Sequence, residues 1–252
     1  MPKTVRLKPV IEEIKNPPEP LELFNAINAR PYCFFLDSAC DHKKLGRYSF
    51  LGCDPFLVFR SKGDAVTLEW ANGKTEQIRS NPFTVLKQLL KKYDMPPGNY
   101  GLPFIGGAVG YFSYDLKNFI EDLPGRALDD LRIPDCILGF YDNIIAFDNL
   151  ERRCYAVSNE SADSKRRSKD FAVRLLQGLC EEKNSGSVHP PKLRSNFSKP
   201  SYIRAVEKAK AYIKKGDIYQ VNLSQRLEAS IDIKPAELYR RLRSASPAPF
   251  SS

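Results

Sequence analysis

Hydrophobic and polar residues alternate most clearly between residues 218 and 227. If this stretch is extended, one face carries Tyr219, Val221, Leu223 and Leu227, and only Gln225 interrupts it. The opposite face carries Gln220, Asn222, Ser224 and Arg226. A period of two residues predicts a half-buried strand here. Its polar face either lies in solvent, as is common in antiparallel sheets, or holds a small polar anion.

The first half of the chain carries short β-rich runs separated by glycine, aspartate and proline, which predicts an antiparallel sheet. These runs span residues 32–36, 48–52, 56–61 and 65–70, and an Asn-Gly turn typical of a hairpin follows the last of them. Residues 105–112 and 137–147 also have strand character, and residues 1–20 are predicted to form an extended lead-in. Apolar residues at helical spacing predict helices at residues 21–29, 81–93, 165–179, 200–215 and 235–243.

The glycines Gly106, Gly107 and Gly110 have two alternative uses. Glycines let backbone N–H groups approach a phosphate closely. However, neither the spacing Gly-x-Gly-x-x-Gly nor a Gly-Lys-Ser/Thr ending is present, and aromatic residues follow that prolong a strand. The residues therefore favour a strand that packs closely against a neighbouring backbone.

Composition narrows the class of protein. With 252 residues, of which 42% are hydrophobic, the chain can build a globular core in one large or two modest domains. The formal charge of +9 permits an acidic partner or an anionic substrate. The densest basic cluster, at residues 165–169, is typical of the solvated face of a surface helix, so no nucleic-acid partner is expected.

The sequence shows no secretory or membrane segment, because the first residues mix charges with prolines and no run of about 18 apolar residues occurs. Six cysteines without Cys-x-x-Cys or metal-ligand spacing are predicted to be buried, reduced thiols. We therefore expect a cytoplasmic protein without membrane contact. His42 and His189 stand in no metal-binding or nucleophile-activating arrangement, and no catalytic or metal-binding residue is predicted.

Four segments resemble, in the same order, sequence blocks of the chorismate-utilising enzymes, in particular component I of aminodeoxychorismate synthase and of anthranilate synthase. They are residues 36–38 with 46–52, the glycine-rich residues 106–116, residues 216–226 and the proline-rich residues 246–251. The resemblance implies an α+β fold of layered antiparallel sheets flanked by helices, incomplete at its carboxyl end.

The resemblance also implies an activity and partners. Full-length family members convert chorismate with Mg²⁺, and a glutamine amidotransferase subunit, component II, supplies the ammonia. The blocks that carry their catalytic and metal-binding residues are not found in these 252 residues. The chain is therefore expected to be an amino-terminal portion that is inactive alone. The expected organisation is an amino-terminal domain at residues 1–183, a linker at 184–200 and the start of a chorismate-binding domain at 201–252.

The resemblance favours one branch of the family. Asp37, Ser246, Phe250 and Ser251 depart from the anthranilate synthase blocks and resemble the aminodeoxychorismate branch, which leads to 4-aminobenzoate and folate. A portion of an anthranilate synthase component I, which serves tryptophan biosynthesis, is the first alternative. A stand-alone, non-catalytic module that binds an aromatic amino acid is the second.

Residues 36–38 with 46–52 are called the early block here, and residues 246–251 the late block. In the family, these two blocks together form a tryptophan pocket. The matching positions are Ser38, Leu45, Gly46, Arg47, Tyr48, Pro249, Phe250 and Ser251. Ser38 matches the serine at the ligand's polar end, residues 45–48 match the covering loop, and residues 249–251 match the late wall. Pro249 and Phe250 can supply the flat apolar sides that such a slot needs. Packing of the same residues within a core is the alternative interpretation.

Overall fold

The structure, a computed structural model, describes residues 8–94, 98–124, 128–160 and 192–251. The chain divides into two compact units, Met1–Glu182 with Tyr239–Ser252, and Lys183–Leu238. The predicted helix at residues 165–179 and residues 184–191 of the predicted linker lie outside the described residues. The predicted domain limits at residues 183 and 200 stay a prediction.

The first unit contains two five-stranded antiparallel sheets. The first sheet has the order β1 (Lys8–Ile14), β10 (Arg153–Glu160), β9 (Asn143–Asp148), β3 (Tyr48–Gly52) and β2 (Phe34–Leu36). The second sheet has the order β6 (Thr75–Arg79), β5 (Ala65–Trp70), β4 (Leu57–Lys62), β8 (Cys136–Tyr141) and β7 (Gly107–Phe112). The predicted α+β fold with antiparallel sheets is confirmed.

One helix packs against each sheet, as predicted. Helix α1 (Pro20–Ile27) buries Leu23 and Ile27 in a cluster with residues of the first sheet. Helix α2 (Pro82–Lys92) begins at Asn81, whose side-chain oxygen accepts a hydrogen bond from a backbone N–H of the first turn. Its apolar stripe joins the core of the second sheet through Val85, Leu86 and Leu89.

The strand character predicted for residues 137–147 is confirmed, and this stretch forms two strands, β8 and β9, in different sheets. All six residues of β9 are buried. Ile145 and Phe147 belong to the cluster that contains α1, whereas Ile144 and Ala146 belong to another cluster. Burial on both faces of β9 removes the polar alternation, and Asp142 and Asn143 interrupt the apolar residues where the chain changes sheets.

Strand β7 confirms the predicted use of the glycine-rich block. Gly110 lies opposite Leu138 of β8, and a Cβ atom on Gly110 would lie 1.9 Å from the carbonyl oxygen of Ile137. Gly106 and Gly107 have φ angles of 121° and 128°, a region that side chains rarely adopt. The glycines therefore allow close backbone packing and an unusual entry into the strand.

The second unit contains helix α3 (Lys199–Lys215) and the strand pair β11 (Arg194–Ser195) with β12 (Leu227–Glu228). Helix α3 ends, as predicted, at Gly216, which has a φ angle of 81°. Helix α4 (Pro235–Ala245) begins in this unit and continues in the first. In the described part of the chain, no helix combines the length and hydropathy needed to cross a membrane.

The predicted strand over residues 218–227 is wrong. Within the described chain only its last residue is in a strand, as part of β12. Tyr219, which the alternation placed on a buried face, is 94% exposed. A strand needs a neighbour to receive its backbone hydrogen bonds. Among the described residues this segment has such a neighbour only at β11, so alternation alone does not make it a strand.

Candidate functional site

The late proline-rich segment pairs with the end of β2. The Asp37 N–H donates to the Ser251 carbonyl oxygen at 2.6 Å, and the Ser251 N–H donates back to the Asp37 carbonyl oxygen at 2.7 Å. A third backbone bond, from Ala39 to Ala248, is 3.0 Å long. The early and late blocks, far apart in sequence, are therefore joined by backbone hydrogen bonds.

A cavity of about 330 Å³ lies where these two blocks meet. Five predicted site residues line it: Ser38, Leu45, Tyr48, Phe250 and Ser251. The other lining residues are Leu36, Asp37, Phe50 and Pro103, whereas the predicted Gly46, Arg47 and Pro249 are not among them. The cavity has the size and largely apolar walls of a small-molecule site. That it binds a ligand stays a prediction.

Gly46 shapes the loop that carries Leu45 to the cavity. Its N–H donates to the Asp41 carbonyl oxygen at 2.9 Å. A Cβ atom on Gly46 would lie 1.9 Å from the Cys40 carbonyl oxygen, so a larger residue would force this loop apart. Gly46 therefore supports the cavity without lining it.

Arg47 contacts Asp148, a buried residue at the end of β9, and does not line the cavity. Its Nε and Nη2 atoms donate to Asp148 Oδ2 at 2.9 and 2.6 Å, and its guanidinium lies 5.0 Å from the ring centre of Tyr48. Burial opposes ionisation of Asp148, but the hydrogen bonds from Arg47 and from the Glu151 and Leu150 amides outweigh it, so the Asp148 pKa is lowered. Arg47 thus holds Tyr48, which lines the cavity, in place.

We expect Asp148→Asn to destabilise the protein more at pH 7 than at pH 3. Because the pKa of Asp148 is lower in the folded chain, its stabilising contribution is present above the unfolded pKa of about 4 and is lost as the pH falls through the folded value. Urea unfolding of both proteins at the two pH values measures this difference. An equal loss of stability at pH 3 and pH 7 would contradict the role assigned to the ionised carboxylate.

Asp37 is the charged residue among those that line the cavity, and its side chain is fully buried. Its Oδ2 atom accepts hydrogen bonds from the Tyr239 hydroxyl at 2.8 Å and from Arg243 Nε. Arg243 Nη2 and the Ser49 hydroxyl each lie 3.4 Å from Oδ1. The hydrogen bond to Asp37 raises the pKa of Arg243 despite burial, so this residue stays a cation. Burial and the bond to Asp37 raise the pKa of Tyr239.

Sequence reasoning missed Tyr239 and Arg243 as partners of the site. Both lie on α4, four positions apart, and therefore on one face of that helix. The available signal was Asp37 itself, because it directly follows a predicted strand, and a carboxylate buried there requires a cation or several donors. Nothing in the sequence indicated which of the 39 basic residues would supply it.

Hydrogen bonds also fix the backbone of Ser38. Its N–H donates to the Ser49 hydroxyl oxygen at 3.1 Å, and its carbonyl oxygen lies 3.1 Å from His42 Nε2. The Asn149 amide donates to the same Ser49 oxygen at 3.0 Å. Both the main chain and the cavity-facing position of Ser38 are thus held by side chains from the neighbouring strands and loops.

The described residues do not fit a magnesium site. Within them, no three His, Cys, Asp or Glu side chains come together as metal ligands. Mg²⁺ requires oxygen ligands that include protein carboxylates, and the Asp37 carboxylate is engaged by Arg243. The Mg²⁺ ion implied for full-length family members therefore stays a prediction about other parts of such an enzyme.

The antiparallel sheets and the pocket between the early and late blocks agree with one class of protein, the chorismate binding enzymes. Residues 33–252 match the family model described as chorismate binding enzyme. The chain belongs to this family.

Comparison with individual proteins leads to anthranilate synthases. The chain is 33% identical to anthranilate synthase component 1 of Acetivibrio thermocellus, over 99% of this chain and 54% of the relative. It is 34% identical to the chloroplastic anthranilate synthase alpha subunit 2 of Arabidopsis thaliana, over 82% of this chain and 37% of the relative. The crystal structure of anthranilate synthase component I from Streptococcus pneumoniae TIGR4 matches with a TM-score of 0.64 and 25% identity, over 80% of this chain and 46% of that chain. The chain thus spans about half the length, or less, of these relatives.

Proposed function

We propose that this chain is the amino-terminal portion of a component I subunit that, in its complete form, converts chorismate to anthranilate. The observation that carries this proposal is the meeting of the early and late blocks at one cavity, through the paired backbones of Asp37 and Ser251. The names of the relatives support the choice of product.

Within this proposal the cavity binds a flat aromatic molecule and takes no part in the reaction. Its walls are largely apolar, and its one carboxylate, Asp37, is held by Tyr239 and Arg243. A general acid or base must be able to exchange a proton with substrate, and a carboxylate held in this way is poorly suited to that task. Catalysis is therefore assigned to the part of the family's length that this chain does not span.

A second candidate is the aminodeoxychorismate branch, in which the product is 4-amino-4-deoxychorismate, on the way to 4-aminobenzoate and folate. The residues that favour it are Asp37, Ser246, Phe250 and Ser251, which depart from the anthranilate synthase blocks. Both candidates use chorismate, and both take ammonia from a glutamine amidotransferase subunit, component II, as partner. The five cysteines in the described residues are free thiols, and thiols stay reduced in the cytoplasm. A cytoplasmic location therefore fits either candidate.

A product assay distinguishes the candidates. The polypeptide that carries these residues in its source organism is purified and incubated with chorismate, ammonium and Mg²⁺, and the product is identified by mass spectrometry. We expect anthranilate. Formation of 4-amino-4-deoxychorismate instead would establish the second candidate, and the absence of any aminated product would contradict both. Omission of ammonium serves as the control, and glutamine should replace ammonium only when component II is added.

A further inference from the structure

We propose that Cys33 and Cys53 form a reversible disulfide when the folded chain meets a peroxide, so that the outer end of the strand pair β2–β3 is an oxidation site. Both cysteines are free thiols in the structure. Strand register, a shared hydrophobic cluster and the fixed backbone beside each thiol bring the two together. The oxidation is independent of the cavity's ligand and of the product that a complete enzyme makes.

Cys33 and Cys53 stand opposite each other just beyond the pairing of β2 with β3. The outermost paired position of this antiparallel ladder joins Phe34 to Gly52. The next position outward therefore joins Cys33 to Cys53. The two thiols are neighbours across the strands, and no rearrangement of the fold is needed to bring them face to face.

This position is a non-hydrogen-bonded one. Asp37 exchanges its backbone hydrogen bonds with Ser251, on the side of β2 that faces away from β3. Backbone groups point to alternate sides along a strand, so Cys33, four residues earlier, also directs its N–H and C=O away from β3. Opposite residues at such a position have Cα atoms about 4.5 Å apart, and a disulfide needs Cα atoms about 4.4–6.8 Å apart. The register therefore permits a bond between Cys33 and Cys53.

Both side chains also point to the same face of the sheet. Side chains alternate between faces along a strand, so Cys33 shares a face with Phe35, and Cys53 shares one with Leu51. All four pack in the hydrophobic cluster that contains α1. Burial raises the pKa of Cys53 to about 12, and the nearby Cys33 thiol is one of the smaller causes that raise it further.

The backbone on the outer side of each thiol is fixed. Tyr32 and Asp54, which flank the two cysteines, have φ angles of 51° and 52°, and such a backbone persists only where its surroundings hold it. The Asp54 carboxylate is paired with Arg30, and its N–H donates to the Pro31 carbonyl oxygen at 3.3 Å. The Tyr32 hydroxyl accepts a hydrogen bond from Arg60 at 2.6 Å. The thiols thus face each other in a frame that is set before oxidation.

Cys33 is the thiol that meets the oxidant, because it is partly exposed whereas Cys53 is 2% exposed. Its thiolate attacks one oxygen of hydrogen peroxide, which gives a sulfenic acid and, after protonation of the hydroxide, one water molecule. The Cys53 thiol then attacks the sulfenic sulfur, the S–S bond forms and a second water leaves. Two thiols thereby lose two electrons and two protons to one peroxide. Burial raises the pKa of both thiols, so the first step is slow at neutral pH.

The disulfide would join two strands that also carry walls of the cavity. Strand β2 carries Leu36, and β3 carries Tyr48 and Phe50. A covalent bond at the outer end of this strand pair limits how far the strands can separate, and exchange with a dithiol reverses it. Oxidation is thus a reversible constraint on the scaffold of the cavity.

Peptide mapping of the 252-residue chain after exposure to hydrogen peroxide tests the proposal. Remaining thiols are alkylated, and the chain is digested with chymotrypsin, which separates Cys33 from Cys40 by cleaving after Phe34 and Phe35. We expect one dominant cross-link, between Cys33 and Cys53 of the same chain, with the loss of two alkylatable thiols and their return after dithiothreitol. No cross-link, or a dominant link that joins other cysteines or two chains, would overturn the proposal.

Oxidation in urea shows whether the fold directs the bond. Cys40 is nearer to Cys33 in sequence than Cys53 is, and loop closure favours near partners in an unfolded chain. The share of the Cys33–Cys53 link should therefore fall severalfold in urea. An equal share in the folded and the unfolded chain would show that the register plays no part.

Two variants identify the order of the steps. In Cys53→Ser the Cys33 sulfenic acid has no thiol to attack it, so dimedone should label Cys33 there and leave it unlabelled in the parent chain. Cys40→Ser is the matched control, because Cys40 is partly exposed like Cys33, and its cross-link should equal that of the parent. Labelling of Cys53 instead of Cys33 in the parent chain contradicts the assigned order. If Cys53→Ser does not fold, the peptide map of the parent chain decides alone.

Discussion

Replacing Asp37 by alanine is expected to lower the free energy of unfolding by about 3 kcal/mol. Breaking a buried ion pair by removing one partner costs about 3–5 kcal/mol, because the remaining charge loses its compensation. The lower end of that range applies here, because the side chain of Arg243 is 27% exposed and can regain some water. Urea unfolding measures the loss, and hydrogen exchange should show faster opening of α4, which the pair attaches to the first sheet.

Asp64→Ala is the matched control for this substitution. Asp64 forms an ion pair with Arg79 whose side chains are 57% and 80% exposed, and exposed pairs add little to stability. We expect Asp64→Ala to unfold close to the parent chain. If Asp37→Ala behaved in the same way, the assigned role of the buried pair in holding α4 would be wrong.

Gly110→Ala is expected to lower the free energy of unfolding by as much as Asp37→Ala does, although it adds only one methyl group. The new Cβ atom would lie 1.9 Å from the Ile137 carbonyl oxygen and 2.8 Å from its carbonyl carbon. These are backbone atoms, so relief requires β7 to move away from β8. We expect a loss of about 3 kcal/mol, at the upper end of the usual cost of overpacking. The melting temperature should fall by about 6–12 °C for a protein of this size.

Gly73→Ala separates the effect of this clash from that of any glycine substitution. Gly73 lies in the turn between β5 and β6 with a φ angle of 86°, and an added Cβ atom would meet nothing within 4 Å. Only the left-handed backbone then opposes alanine, at a cost of about 1 kcal/mol. Equal melting temperatures for the two variants would refute the steric explanation for Gly110.

Local patterns in the sequence predict most elements of the first unit. The predicted limits of β3 and β5 coincide with the observed ones, because alternation, β-branched residues and turn residues agree there. Strand β10 was not predicted, and β1 was predicted only as an extended lead-in. Each pairs with the other along its length, and a short charged segment such as β1 gains strand structure from that pairing more than from its own composition.

The failures have the same physical origin. Residues 137–147 carry only the short polar pair Asp142-Asn143 where the chain changes sheets, and that pair does not state that the flanking strands join different sheets. Residues 218–227 alternate without a neighbouring strand along most of their length. A periodic pattern states which face of a strand can be buried. It does not state what lies next to that strand, and the backbone hydrogen bonds depend on the neighbour.

The candidate site was predictable in part. Resemblance placed Ser38, Tyr48 and Phe250 in one pocket, and the structure places all three around the same cavity. The partners of Asp37 could not be found in this way, because Tyr239 and Arg243 lie 202 and 206 positions further along the chain. Spacing rules apply within an element, and no such rule connects a strand end to a helix at that separation.

The same separation has a consequence for synthesis on the ribosome. Amino-terminal segments of a growing polypeptide leave the exit tunnel and fold first. The carboxylate of Asp37 therefore stays hydrated and without its counter-charge until α4 leaves the tunnel with the guanidinium of Arg243. A ribosome that pauses before the codon of Ser251 should thus hold a nascent chain that has the end of β2 but not yet the wall that Ser251 completes.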